Sequence, residues 1–271
     1  MANLKINPGT FPQGMKPRRK TINAIYSGGK ATKHSRRCWI NRFLNKESAT
    51  AAGGEALNDL LISFKGQPIL LMLSGGSALG LLDYISPSSL GENLTISALD
   101  ERYSQDSDTN NFSQIQHLDF FMDAGEKDAS FIGTLPRPNE SAVDLAKRWE
   151  AALQKWRSDF PTGKIIATFG MGADGHTAGI FPFPEDLNKF KQLFEKENWV
   201  VAFDAGSKNK FSRRITTTLT FFKQIDEAII LVCGQEKKEK LDEVLTKASS
   251  PAELPAMAWY DLENAQIFTD I

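Results

Sequence analysis

Several short runs in this chain are apolar at every position rather than at alternate ones. Ile69-Leu70-Leu71-Met72-Leu73 and Ala228-Ile229-Ile230-Leu231-Val232-Cys233 are the clearest. A strand with one wet face alternates, whereas a strand that is apolar throughout is covered on both faces, which calls for a parallel sheet between layers of helix. Runs of strand length recur at Leu94–Leu99, Lys164–Phe169, Trp199–Phe203 and Ala265–Phe268. Helical patterns separate them, over Ser48–Phe64, Glu140–Asp159 and Gln235–Lys247. In the second, Ala146, Trp149, Leu153 and Trp156 return at steps of three and four, with Asn139 or Ser141 as N-cap and Pro161 and Gly163 as the stop. The third packs through Leu241, Val244 and Leu245. The class is therefore α/β, an open and mostly parallel sheet with helices on both faces.

Composition removes several alternatives. The 271 residues are 41% hydrophobic and 24% charged, ordinary for a globular chain. No apolar run approaches the roughly 18–20 residues that span a bilayer, so no membrane association is expected. Cys38 and Cys233 are the only cysteines, too few for a disulfide framework and suited to a reducing compartment. The start of the chain lacks the apolar stretch of a secretory signal, and a cytoplasmic location is expected.

Charge is uneven. Residues 1–46 carry eleven Lys or Arg and no acid precedes Glu47, leaving 21 bases against 33 acids in the remainder. Residues 1–38 read as a poorly ordered basic extension and 39–271 as a single domain. A transit peptide, which would make the location organellar, and a nucleic-acid arm are the alternatives for the extension. Proline and glycine up to Gly29 oppose the first, and the acidic body, which repels a phosphate backbone, opposes the second. No nucleic-acid partner is expected.

Four segments carry chemistry. Ser74-Gly75-Gly76-Ser77 lies between an apolar strand and the helical run Ala78–Ile85, where glycines let successive amides approach an anion and the helix start adds positive field. Ser27-Gly28-Gly29-Lys30 is similar but lacks a preceding strand. Asp100-Glu101-Arg102 follows the strand Leu94–Leu99 at the sheet edge where open α/β folds place ligands. Gly170-Met171-Gly172-Ala173-Asp174-Gly175-His176-Thr177-Ala178-Gly179-Ile180-Phe181-Pro182 is the most specific, three glycines leading to one histidine. Imidazole titrates near neutrality and suits a general base once a carboxylate, Asp174 or Asp100, fixes its tautomer. His34 and His117 lack such a setting. Lys208, Lys210, Arg213 and Arg214 lead into Ile215-Thr216-Thr217-Thr218-Leu219, and Gly234-Gln235-Glu236-Lys237 follows a buried strand. An Arg fork and a Lys point charge suit a dianionic phosphate, while Lys208, Lys210, Lys238 and Lys240 read as solvated surface charge.

In order and spacing, these segments resemble the motifs of the 6-phosphogluconolactonases, with Leu254-Pro255-Ala256 a weaker match near the end. The resemblance covers about residues 39–271. It implies a Rossmann-like sheet shared with glucosamine-6-phosphate deaminases and ribose-5-phosphate isomerases. It further implies hydrolysis of 6-phospho-D-glucono-1,5-lactone in the pentose phosphate pathway, with no metal and no cofactor. By the same resemblance Gly75, Gly76, Ser77, Arg214 and Lys237 hold the phosphate, while Asp100, Arg102, Asp174 and His176 surround the lactone. A small-molecule sugar-phosphate lactone is the expected partner, and the protein is expected to be a monomer or weak homo-oligomer.

Three departures stand out: Ala78-Leu79 where the family commonly has Thr-Pro, Tyr103-Ser104-Gln105 where Val-Pro is usual with Asn110-Asn111 near its Ser-Asn, and Gly179 for a common Ser. An amino-sugar-phosphate deaminase is the competing enzyme, but such enzymes usually show Asp-Glu-Tyr rather than Asp-Glu-Arg. A non-catalytic sugar-phosphate sensor is the competitor from another class.

Overall fold

The computed structural model describes residues 20–22 and 37–271. Among the described residues eleven strands are formed: β1 (Lys20–Ile22), β2 (Arg37–Arg42), β3 (Ile69–Leu73), β4 (Leu94–Ala98), β5 (Asp100–Arg102), β6 (Ser130–Ile132), β7 (Lys164–Gly170), β8 (Val200–Asp204), β9 (Arg213–Thr217), β10 (Glu227–Val232) and β11 (Asn264–Thr269). The helices are α1 (Lys46–Ser63), α2 (Asn111–Gln116), α3 (Asp119–Glu126), α4 (Ala142–Asp159), α5 (Leu187–Phe194), α6 (Leu219–Phe222) and α7 (Lys238–Thr246). Among the described residues no helix is long and apolar enough to cross a membrane.

The main sheet runs β1-β2-β11-β10-β7-β3-β4-β6, parallel throughout except for β1 against β2. The all-apolar strands are covered on both faces, as their composition demands. Along β3, Leu70 and Met72 join one core, while Ile69, Leu71 and Leu73 join the other. Along β10, Ala228, Ile230 and Val232 separate in the same way from Ile229 and Leu231. Helix α4 covers the first face. Its Trp149 and Trp156 are buried there and hand their indole N–H groups to Ser97 and Thr95 of β4, each at 3.1 Å. Truncating such a tryptophan to alanine costs ~3–5 kcal/mol. Ser141 caps α4, its hydroxyl accepting from the Asp144 amide at 3.1 Å. Helix α1 covers the opposite face through Ala49, Leu57 and Leu61.

Two expectations are corrected. Trp199–Phe203 was expected among the parallel strands, yet β8 belongs to a separate three-stranded antiparallel sheet, β5-β9-β8. Val201, Ala202 and Phe203 are only half-buried, so the run needs no cover on both faces, and the short connection to β9 favours an antiparallel hairpin. The run Ala78–Ile85 is wound as 3₁₀ turns over Gly76–Tyr84 rather than as an α-helix.

Strand β2 begins at Arg37, two residues before Trp39, and β1 pairs on its outer side. Residues 1–19 and 23–36 of the expected extension, with His34 and Ser27-Gly28-Gly29-Lys30, lie outside the described residues.

The connections set the ligand edge. From β3 the chain moves outward to β4 and β6, whereas β7 lies on the other side of β3 and leads to β10 and β11. The order therefore reverses between β3 and β7, and the loops leaving their carboxyl ends splay apart there.

Candidate active site

A cleft of about 160 Å³ opens at this reversal. Ser74–Ser77 after β3, Gly170–Gly172 and His176 after β7, Asp100 and Arg102 on β5, Asn111 at the start of α2 and Arg214 on β9 line it, with Ala178 and Gly179. All four sequence segments thus meet here, the fourth through Arg214 alone.

The histidine loop is built almost entirely from its own atoms. The Gly172 amide donates to the His176 carbonyl at 2.9 Å and the Gly175 amide to the Gly172 carbonyl at 3.0 Å. Gly175 sits at φ +81°, and a Cβ on Gly172 would fall on the imidazole, so both glycines are required by shape. Ala178 (φ 47°) and Gly179 (φ 66°) form a two-residue turn, with the Ile180 amide donating to Thr177 O at 2.8 Å. Two left-handed residues in succession explain why glycine suits position 179. The loop is braced from behind: Thr177 Oγ1 donates to Gly170 O at 2.8 Å, Trp259 Nε1 to Thr177 Oγ1 at 3.3 Å, and the Ala256 amide to Gly175 O at 3.2 Å. That last bond, with Leu254 lying against Gly175, gives Leu254-Pro255-Ala256 its place in the site.

His176 Nδ1 lies 2.5 Å from Asp174 Oδ1, which also accepts the His176 amide at 3.1 Å. The ring rests against Phe181, centroids 4.8 Å apart. Burial works against the Asp174 anion, but the hydrogen bonds and charge of His176 outweigh it and hold the carboxyl below the usual carboxylate range. A carboxylate at Nδ1 places the proton there and leaves the lone pair on Nε2 of a ring that lines the cleft. Of the two carboxylates weighed for this contact, Asp174 makes it. His117 lies at the end of α2 with Nδ1 2.7 Å from Ser113 O, away from the cleft.

The opposite wall is assembled from distant segments. Along β5, side chains alternate: Asp100 and Arg102 line the cleft while Glu101 points behind it. Asp100 pairs with Arg214 Nη2, their side chains only 5% and 7% exposed. Asn111 Nδ2 donates to Asp100 O at 3.0 Å and to Asp100 Oδ2 at 3.2 Å. Arg214 is thus committed to a carboxylate inside the protein, and Asp100 with it.

Arg102 faces Arg214 directly across the β5–β9 pair. Burial, then the Arg214 charge, lowers its pKa. Its guanidinium lies 4.9 Å over the Phe211 ring, and no carboxylate pairs with it among the described residues. Two guanidinium groups beside one cleft carboxylate make this wall electropositive.

Across from it, the Ser74 amide donates to Thr168 Oγ1 at 3.1 Å and Gly76 takes φ +68°. The first amides of the following helical turn have no intrahelical acceptor, which suits an anion. A Cβ on Gly75 would lie 2.7 Å from Asn111 Oδ1, so Gly75 is fixed by that approach. Lys237 sits in a 3₁₀ turn after β10 and does not line the cleft. Lys208 pairs with Glu185 at 2.5 Å, Lys238 with Asp242 at 2.7 Å and Lys240 with Glu243 at 2.7 Å. Lys210 lies 4.7 Å over Phe211.

At Tyr103-Ser104-Gln105 the chain continues alongside β9, the Tyr103 amide donating to Arg213 O at 3.0 Å. Asn110 Nδ2 closes the loop on Arg102 O at 2.7 Å. Asn111, which lines the cleft, and Phe211, which underlies Arg102, are residues that sequence reasoning did not assign. The pair Asn110-Asn111 ahead of a short helix was the available signal for the first, and Phe211 offered none.

A family model described as "Glucosamine-6-phosphate isomerases/6-phosphogluconolactonase" matches residues 45–268. The chain belongs to this family. Among curated members, the 6-phosphogluconolactonase of Xylella fastidiosa is 27% identical over 226 residues, 82% of this chain and 90% of that one. The 6-phosphogluconolactonase of Aggregatibacter actinomycetemcomitans is 31% identical over 201 residues, 72% of this chain and 79% of that one. The fold is that of solved members. A Shewanella baltica 6-phosphogluconolactonase superposes with TM-score 0.66 at 18% identity, over 85% of this chain and 95% of the other. The Thermotoga maritima enzyme does so with TM-score 0.60 at 22% identity, over 86% and 98%.

Proposed function

We propose that this protein hydrolyses 6-phospho-D-glucono-1,5-lactone to 6-phosphogluconate, a step of the oxidative pentose phosphate pathway, with His176 as general base. The observation that carries the reading is the His176–Asp174 pair, set in the lining of an electropositive cleft beside a glycine-rich anion loop. Neutral His176 takes a proton from water as the oxygen attacks C1. The carbonyl becomes a tetrahedral oxyanion, for which Arg102, with no carboxylate partner among the described residues, is the nearby cation. Collapse breaks the bond from C1 to the ring oxygen, and His176 returns its proton to that oxygen. Gly75, Gly76 and Ser77 hold the phosphate. Arg214 contributes field from within its pair with Asp100, and Lys237 acts at most from outside the cleft.

Neither cysteine competes for the nucleophile's role. Burial pushes both thiols up to about 11, so they stay protonated. The family also contains deaminases, and Arg102 in place of their usual tyrosine favours the lactonase. The purified protein should release acid from fresh 6-phosphogluconolactone well above the spontaneous rate and release no ammonia from glucosamine 6-phosphate. The reverse result selects the deaminase, and inactivity on both selects a binding protein. We propose a cytoplasmic location, with an organelle the alternative should residues 1–38 act as a transit peptide.

A further inference from the structure

Glu101 is the most deeply buried charged residue near the cleft, with 0% exposure, and the hydrolysis as written makes no use of it. It lies between Asp100 and Arg102 but faces away from the cleft. Its carboxylate gathers four donors from three stretches of chain. Oε1 accepts from the Arg102 amide at 2.8 Å and the Asn111 amide at 2.5 Å, and Oε2 from the Phe112 amide at 3.0 Å and the Thr134 hydroxyl at 2.7 Å.

Only a carboxylate offers this. Two oxygens with about four lone-pair sites match four converging donors, whereas a glutamine would turn an NH₂ toward at least one of them. Burial opposes the arrangement and pushes the carboxyl up to about 7, although the Thr134 hydroxyl and the three amides pull it down. A neutral apolar residue would leave two amides of the first turn of α2 without acceptors. The donors belong to the cleft wall. The Arg102 amide fixes where β5 ends, the Asn111 amide fixes where α2 begins, and the Asn111 side chain in turn holds Asp100 and abuts Gly75.

We propose that Glu101 is a positioning residue, which from behind the cleft sets Asn111, and through it the Gly75 turn, for binding the substrate's phosphate, and sets Arg102 for the oxyanion. The inference rests on reading the cleft as a sugar-phosphate site, and sulfate binding, which needs no turnover, tests it separately from the reaction. A purely electrostatic role gives the opposite sign from positioning, because removing a negative charge beside Arg102 would tighten an anion.

Glu101→Gln should therefore weaken sulfate binding, measured by calorimetry at constant pH, about tenfold. It should raise KM for 6-phosphogluconolactone by a similar factor, through Asn111 and the Gly75 turn, and lower kcat as well, through Arg102. Thr134→Val keeps the charge but removes one donor, and should weaken sulfate binding two- to threefold, while Thr134→Ser, which keeps the hydroxyl, restores it. A folded Glu101→Gln protein that binds sulfate as tightly as wild type, or more tightly, overturns the proposal. Should that variant not fold, the threonine pair decides: equal sulfate affinity in Thr134→Val and Thr134→Ser overturns it. So does a wild-type cleft that takes no sulfate. If affinities shift as expected in a protein that does not hydrolyse the lactone, positioning stands and the assigned reaction falls.

Discussion

The two walls of the cleft are built in opposite ways. On the histidine wall, the decisive contact joins residues two apart, His176 and Asp174, inside a loop whose turns close on themselves. On the cationic wall, the decisive contacts span long stretches of chain: Asp100 to Arg214 over 114 residues and Glu101 to Thr134 over 33. A wall whose decisive contact is local, though Trp259 and Ala256 brace its loop, loses little of the fold when that contact is cut. A wall made of distant bonds exists only when the whole sheet is in register. Damage to the first should therefore appear in kinetics with little change in stability, and damage to the second in both.

The largest expected effect breaks the local wall. His176→Ala should lower kcat about 10²–10⁴-fold, the usual contribution of a positioned base, with the denaturation midpoint close to wild type. Spontaneous lactone hydrolysis has to be subtracted at each pH. A folded variant keeping more than about a tenth of wild-type kcat would move the base elsewhere. Next comes the distant wall. Arg214→Ala leaves the Asp100 carboxylate buried without its partner, which costs ~3–5 kcal/mol in stability, and urea denaturation should show that loss together with loss of activity. A variant of unchanged stability and raised KM alone would mean that Arg214 serves the substrate rather than Asp100.

The same division decides what the sequence reveals. The parallel core is legible because burial on both faces forces unbroken apolar runs such as Ile69–Leu73. The histidine loop is legible because its glycines are demanded by local geometry at Gly172 and Gly175. Strand β8 was misplaced because its run is apolar yet half-buried, and nothing in five residues states which sheet they join. Strand β2, only Cys38-Trp39-Ile40 between charged ends, was too short to stand out. The Asp100–Arg214 pair and the stacking of Arg102 on Phe211 were hidden because each is a meeting of remote segments. Lys237 shows the converse error. A lysine after a buried strand looked like a phosphate ligand, but β10 ends two strands away from β3 and outside the reversal in strand order.

A smaller effect sharpens the local wall. Asp174→Asn keeps the size of the side chain but removes the charge that holds Nδ1 protonated, so a fraction of His176 turns its lone pair away from the cleft. Because the carboxylate is 47% exposed, its absence should scarcely alter stability. A loss of about 10–100-fold in kcat is expected, comparable to removing an outer hydrogen-bonding partner elsewhere. A drop in the denaturation midpoint as large as that of Arg214→Ala would abolish the distinction between the walls.

The smallest expected effect uses a second carboxylate whose pKa is raised to about 7, Glu227, at the amino end of β10. Glu101 is raised by burial against the pull of four donors. Glu227 is raised first by burial and then by the Asp226 charge, with Glu263 adding to it and only Lys164 and an Asn264 hydrogen bond at 3.1 Å opposing. The folded protein therefore holds a proton at Glu227 that the unfolded chain has released. Stability from this site is fully present below about pH 4.5 and is lost as pH rises toward 7. Glu227→Gln removes the ionisable proton, so the variant should gain about 1 kcal/mol over wild type at pH 8. It should gain almost nothing at pH 5, with kcat and KM unchanged because the residue lies at the far edge of the sheet. Urea midpoints measured at both pH values decide it. A gain of equal size at pH 5 would point to packing rather than titration, and a change in KM would tie this edge to the cleft, against the separation that the two walls display.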